Sequence, residues 1–173
     1  GSLAVINNEG IIFSAGTTSD SEALSTDTPP VFTLVAIDVT ANTNGVTINH
    51  RTAVDTDPDD DFTPAAPVII GDILLGSGGD TLNATSGNIL GDVAFGDGSD
   101  ALILSGGSTL TGSVTDSDGL LTLDVSGGSS LVLTEAVPLN VTTASFGSDT
   151  TFSTVIDGGA SGVSTLNATG QVT

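Results

Sequence analysis

Cysteine, methionine, tryptophan, tyrosine and lysine are all absent from these 173 residues, and histidine and arginine occur once each, as His50 and Arg51. Without cysteine there is no disulfide framework and no thiolate metal site. One arginine cannot neutralise a nucleic-acid backbone or an anionic lipid surface, which needs clustered basic residues. Six phenylalanines are the whole aromatic inventory, so the core must be built from small aliphatic side chains. No apolar run approaches the roughly 20 residues that cross a bilayer, and no basic segment followed by an apolar one opens the chain. Only three Glu and no Lys are present, which removes the residues that usually cover helix surfaces.

What is abundant is acid: 21 Asp and Glu give a formal net charge of -20. High charge often accompanies disorder. Here, however, 38% of the residues are hydrophobic and mean hydropathy is +0.32, which is enough to bury a core. The apolar residues are Val, Ile, Leu and Ala in short alternating runs, set among 23 Gly, 20 Ser and 26 Thr. β-Branched residues and turn formers in this proportion predict an all-β chain.

The decisive signal is an internal repeat. From Val68 the chain aligns on itself with a shift of 20 and then 21 residues: Gly71-Asp72-Ile73 returns as Gly91-Asp92-Val93 and, altered, as Gly112-Ser113-Val114. Gly76-Ser77-Gly78-Gly79-Asp80-Thr81-Leu82 returns as Gly96-Asp97-Gly98-Ser99-Asp100-Ala101-Leu102, and Gly87, Gly107 and Gly128 close the three units. Within each unit apolar residues alternate, as in Leu102 and Leu104 or Leu121, Leu123 and Val125, the pattern of short half-buried strands. Such strands cannot enclose a core within one unit, but stacked units can, each hydrogen-bonding to its neighbours at about 4.8 Å. The alternative is a β-sandwich, which gives no reason for Gly and Asp to return in register. The expected fold is a right-handed parallel β-helix with rungs of about 20 residues. Antiparallel pairing between the Ile73 and Val93 strands would refute it.

Three regions are expected: irregular N-terminal rungs over 1–67, regular rungs over 68–130, and C-terminal rungs over 131–173. In the first, Asn8-Glu9-Gly10-Ile11 and Thr43-Asn44-Gly45-Val46 each read as a turn followed by a strand, and Val31 to Val39 alternates. Two polar stretches, 17–30 and 53–67, carry prolines and clustered carboxylates. They cannot continue a ladder and read as loop excursions.

The phrases from Ile70 to Val114, and in particular Phe95-Gly96-Asp97-Gly98-Ser99-Asp100-Ala101-Leu102 followed by Leu110-Thr111-Gly112-Ser113-Val114, resemble the passenger β-helix of bacterial autotransporters. The run from Leu131 to Thr173, with Ser145-Phe146-Gly147-Ser148-Asp149-Thr150 and Ser164-Thr165-Leu166-Asn167-Ala168-Thr169-Gly170, looks like the junction before the outer-membrane barrel of that family. The resemblance implies a segment exported through the outer membrane by type V secretion and displayed on the cell surface or secreted. Its barrel partner would lie outside this chain, and its terminal rungs would fold first and help draw the remainder outward.

Chemistry is harder to find. Gly76-x-Gly78-x-Asp80-x-Leu82 and Gly96-x-Gly98-x-Asp100-x-Leu102 match most of the calcium-binding nonapeptide of RTX proteins, making Asp80 and Asp100 calcium candidates. The copies lie 20 residues apart and not in succession, so the expected role of both aspartates is a solvated turn. Asp55, Asp57 and Asp59 space carboxylates at alternate positions as an EF-hand does, but Asp60 stands where that loop needs Gly and Ala66 where it needs Glu. A loop that attracts divalent cations weakly is the expectation there. His50 and Arg51 are expected to pair locally with Asp38 or the acidic loop. No Gly-x-Ser-x-Gly elbow occurs, and a polysaccharide-cleaving carboxylate pair would lack the aromatic and basic residues that hold sugar. No enzyme and no resident cofactor are expected. Asn83 and Asn167 head formal glycosylation sequons, but turn or stacked-Asn positions are expected for both.

The chain is thus expected to be a structural stalk segment. An adhesin acting through loops 17–30 and 53–67 on a host or neighbouring cell, and a calcium-stabilised module, stand as alternatives. Open solenoid ends also suggest end-to-end self-association.

Overall fold

A computed structural model describes residues 3–14, 34–57, 61, 63–155 and 165–173. The excursion over 17–30 lies outside the described residues, as does Asp59. Among the described residues the regular elements are all strands, and they recur in threes. The first rung is β1 (Val5–Asn8), β2 (Ile11–Phe13) and β3 (Val35–Asp38), and the second is β4 (Thr47–His50), β5 (Val68–Ile70) and β6 (Asp72–Leu74). The third is β7 (Thr81–Ala84), β8 (Asn88–Leu90) and β9 (Val93–Phe95), and the fourth β10 (Ala101–Leu104), β11 (Thr109–Gly112) and β12 (Val114–Asp116). The fifth is β13 (Thr122–Val125), β14 (Ser130–Leu133) and β15 (Leu139–Val141), and the sixth β16 (Thr143–Phe146), β17 (Thr151–Ser153) and β18 (Leu166–Ala168).

Corresponding strands stack in parallel. One wall runs β1-β4-β7-β10-β13-β16 and a second β2-β5-β8-β11-β14-β17, while the third is split into β3-β6-β9-β12 and β15-β18. Ile73 faces Val93 across a parallel pair, as the repeat requires, and the fold is a parallel β-helix. Six rungs at the spacing of hydrogen-bonded strands make a rod of about 24 Å.

Strand alternation sends every second side chain inward, and stacking aligns those side chains into columns. In the first wall Ile6, Ile48, Leu82, Leu102, Leu123 and Ala144 share one register position. Ile69, Ile89, Leu110 and Leu131 do so in the second, and Ile73, Val93 and Val114 in the third. All but the half-buried Ile6 are buried, and each fully buried Val, Leu or Ile removes apolar area worth roughly 1.5–3 kcal/mol. This is how a chain so poor in aromatics fills an interior. The tilted pair Phe146 and Phe152, with ring centroids 5.3 Å apart, is packed on the core in the sixth rung.

The first 67 residues supply strands in register with the rest: Val5 faces Thr47, and Thr47 faces Thr81. Their longer spacing arises because 21 residues separate β2 from β3 and 17 separate β4 from β5. The pairing of β3 with β6 carries a register shift between Val35 and Ile37. On the outward side of the second wall, Phe13, Ile70 and Leu90 stack in register and remain exposed, with Ile11 exposed beside them.

Candidate functional site

The third wall turns into the first through the Gly-x-Gly-x-Asp loops and the turn after β12, and Asp80, Asp97, Asp100, Asp116 and Asp118 fall at this corner. Gly78 and Gly98 have φ of 104° and 138°, backbone conformations that a side chain resists. The loops bond from rung to rung: the Gly78 N–H donates to the Asp97 carbonyl at 2.8 Å, and the Gly98 N–H donates to Asp118 Oδ2 at 2.9 Å. The turn swings the aspartate at its end inward. Asp80 Oδ1 accepts the Val46 N–H at 2.6 Å, and Asp100 Oδ1 accepts the Asp80 N–H at 2.7 Å.

The expectation of solvated turns is therefore corrected. Asp80 and Asp100 are 1% and 2% exposed, because each reaches a backbone donor of the preceding rung that the ladder leaves unpaired. The second oxygen of each, Oδ2, is enclosed and has no partner. In the next rung Asp116 accepts the Leu121 N–H at 2.8 Å through Oδ2, while its Oδ1 is likewise enclosed and without a partner. Burial pushes the Asp100 carboxyl up to about 6, aided by the charges of Asp80, Asp116 and Asp118 and opposed by the Asp80 N–H. Burial also raises Asp116, against the backbone donors of Leu121, Asp118 and Leu120.

Of the calcium candidates, the fold brings Asp80 and Asp100 together. Asp55 and Asp57 lie elsewhere, in the excursion between β4 and β5, where Asp55 Oδ1 accepts the Asp57 N–H at 2.9 Å in a local turn. Among the described residues no three His, Asp or Glu side chains are grouped to hold a metal ion.

His50 and Arg51 depart from expectation. His50 ends β4 on its inward side and is completely buried, its Nδ1 2.9 Å from the Asn8 amide nitrogen, while Asn8 Oδ1 accepts the Gly10 N–H. Asn8 and His50 share a register position, so both continue the column that holds Ala84 and Leu104 further along. Desolvation lowers the His50 imidazole to about 4, against smaller opposing effects from the Pro67 and Asn88 backbone, so at neutral pH the ring is uncharged. Arg51 points outward and pairs with Glu9 at 2.9 Å. Asp38 instead accepts both the N–H and the hydroxyl of its neighbour Thr40. The expected local pairing fails because strand alternation turns consecutive residues to opposite sides.

The reading of Asn167 as a stacked position holds, with its amide donating to Asn140 Oδ1 at 3.1 Å. Asn83 faces Asn49 across the first wall, and Asn49 in turn donates to Asn7 at 2.9 Å.

One feature escaped sequence reasoning. Residue 113 alone joins β11 to β12, whereas residues 134–138 join β14 to β15. β15 then pairs with β18 and not with β12. A cleft of about 350 Å³ opens at the break, lined among others by Asp116, Asp118, Asn140, Asn167 and Thr169. The available signal was Pro138, which has no N–H to offer just where the strand begins. The cleft presents carboxylates, carboxamides and hydroxyls, groups that bind polar ligands through hydrogen bonds. It holds no histidine, lysine or arginine for proton transfer or anion binding.

Together the walls, columns and corner loops define a member of the parallel β-helix class. Comparisons with protein-family models, with curated proteins and with solved structures find no match.

Proposed function

We propose that the chain is a structural stalk segment of a bacterial autotransporter passenger, displayed at the cell surface or secreted after export through the outer membrane, with its barrel partner outside this sequence. The observation that carries this reading is the unbroken parallel stacking of two walls through six rungs. Such a rod transmits position along its axis and can grow by adding one rung to a finished one, so folding outside a membrane would favour outward movement. The resemblance over Ile70–Val114 and Leu131–Thr173 points the same way. The absence of cysteine removes one obstacle to passage in an unfolded state.

An adhesin is the second reading. It is favoured by the exposed Phe13, Ile70 and Leu90 column, which lies beside the points where the chain leaves after β2 and returns at β5. Deleting residues 53–67 in the full-length protein separates the two. A stalk keeps its surface display and its fold, measured by flow cytometry and circular dichroism. Loss of cell adhesion with display intact would establish the adhesin instead. A thermal midpoint that rises with calcium and falls with EDTA would favour the calcium-stabilised module over both. End-to-end association of rods is read from sedimentation velocity across a concentration series.

A further inference from the structure

Two carboxylates stacked on adjacent rungs and almost wholly removed from water require compensation, since a buried charge is stable only when paired. Each spends one oxygen on a backbone N–H of the preceding rung, and each keeps an enclosed oxygen without a partner. The groups acting on Asp100 from its surroundings are Asp80 on one side and Asp116 and Asp118 on the other, all acidic. The single arginine of the chain follows β4 and is bound to Glu9, whereas Val46, the residue that Asp80 caps, precedes β4. His50 is at that far end of β4 too, and is uncharged at neutral pH.

We propose that Asp80 and Asp100 form a proton-controlled clasp joining the second, third and fourth rungs, with a proton from solvent as the ligand that makes their stacking favourable. The proton enters on Asp100 Oδ2, the oxygen without a backbone donor, and converts it to a hydroxyl. Oδ1 keeps the Asp80 N–H. With the proton bound, a neutral carboxyl lies over Asp80. With it released, two like charges face each other in an enclosed corner, and Asp116 and Asp118 add to the repulsion. The elevated Asp100 value of about 6 agrees with this geometry.

The direction follows from linkage. A carboxyl that binds its proton more tightly folded than unfolded stabilises the fold at low pH, and that contribution is lost as pH rises through the folded value of about 6. The clasp therefore tightens in mildly acidic surroundings and loosens toward neutrality.

The test is equilibrium urea unfolding of this chain and of Asp100→Asn from about pH 4 to about pH 7, with the difference between the two profiles as the readout so that other titrating groups cancel. Asparagine keeps the Oδ1 acceptor and cannot ionise. The wild type should lose stability relative to Asp100→Asn across this range, by at most about a hundredfold in the folding equilibrium constant. Parallel profiles would overturn the proposal. Carboxyl carbon NMR of the wild type gives a second measurement, independent of whether the variant folds. A titration midpoint well above the ordinary aspartate value supports the clasp, and an ordinary midpoint rejects it. If calcium raises wild-type stability at neutral pH and EDTA reverses this, with Asp100→Asn insensitive to both, a metal cation occupies the corner and the proton clasp is wrong.

Discussion

Two corners of this rod use the same bond in opposite directions. Where the second wall turns into the third, Asp72 Oδ1 accepts the Asp92 N–H at 2.9 Å and Asp92 Oδ1 accepts the Ser113 N–H at 2.7 Å, so each carboxylate reaches forward to the next rung. Where the third turns into the first, Asp80 and Asp100 reach back to the preceding rung. The forward pair is half-buried and the backward pair fully buried. Residue type, spacing and the kind of hydrogen bond are the same at both corners, and the direction of the bond and the depth of burial separate them. A capping aspartate in a solenoid is thus a plain structural element or an electrostatically strained one, according to how far the turn rotates it inward.

The largest expected effect tests what else holds the forward corner. Gly91 has φ of 152°, and a Cβ there would collide with the Gly71 carbonyl. Gly91→Val should cost about 3 kcal/mol or more by chemical denaturation, since both backbone conformation and rung spacing oppose it. A cost below about 1 kcal/mol would mean that the corner yields easily and that backbone approach is not its determinant.

Next in size is Asp80→Ala. It leaves the Val46 N–H enclosed with no acceptor, and a loss of about 2 kcal/mol is expected at neutral pH, reduced by whatever repulsion from Asp100 is relieved. Asp72→Ala removes the equivalent bond at the half-exposed corner, where water can replace the carboxylate, and should cost about 1 kcal/mol. Equal losses would erase the distinction between the two ladders.

The contrast between corners also marks where the sequence was legible. Period and turn composition revealed the rungs, because Gly71, Gly91 and Gly112 recur for one steric reason and Gly87, Gly107 and Gly128 close turns, with positive φ at Gly87, Gly107 and Gly128. Alternation also revealed the inward columns, since within a strand it assigns sides unambiguously. It assigns nothing at a corner, where φ changes sign, so the inward rotation of Asp80 and Asp100 was invisible. His50 was misjudged for a related reason: the alternation was there in Ile48 and His50, but a polar residue on an inward position is ordinarily read as facing out. The cleft depends on a strand that fails to pair, and pairing is a property of two rungs and not of one segment.

His50 supplies the opposite pH slope to the acidic corner, so it sharpens the comparison when removed. Its folded value of about 4 lies below the ordinary 6.5. Its contribution is therefore present above about 6.5 and is lost as pH falls toward 4, the reverse of Asp100. In the wild type the two slopes offset each other over the same interval, and the net pH dependence between them should be shallow. His50→Leu removes the imidazole from a column that already accepts Leu104, at the cost of the bond to Asn8. The variant should become more stable as pH falls from about 6 to about 4, exposing the slope of the acidic corner alone. The double variant His50→Leu with Asp100→Asn should then lose most of that slope and keep only the part of the same sign that the raised Asp116 contributes. If His50→Leu alone is already flat, the acidic corner contributes no slope, and the buried and half-exposed aspartate ladders are electrostatically alike.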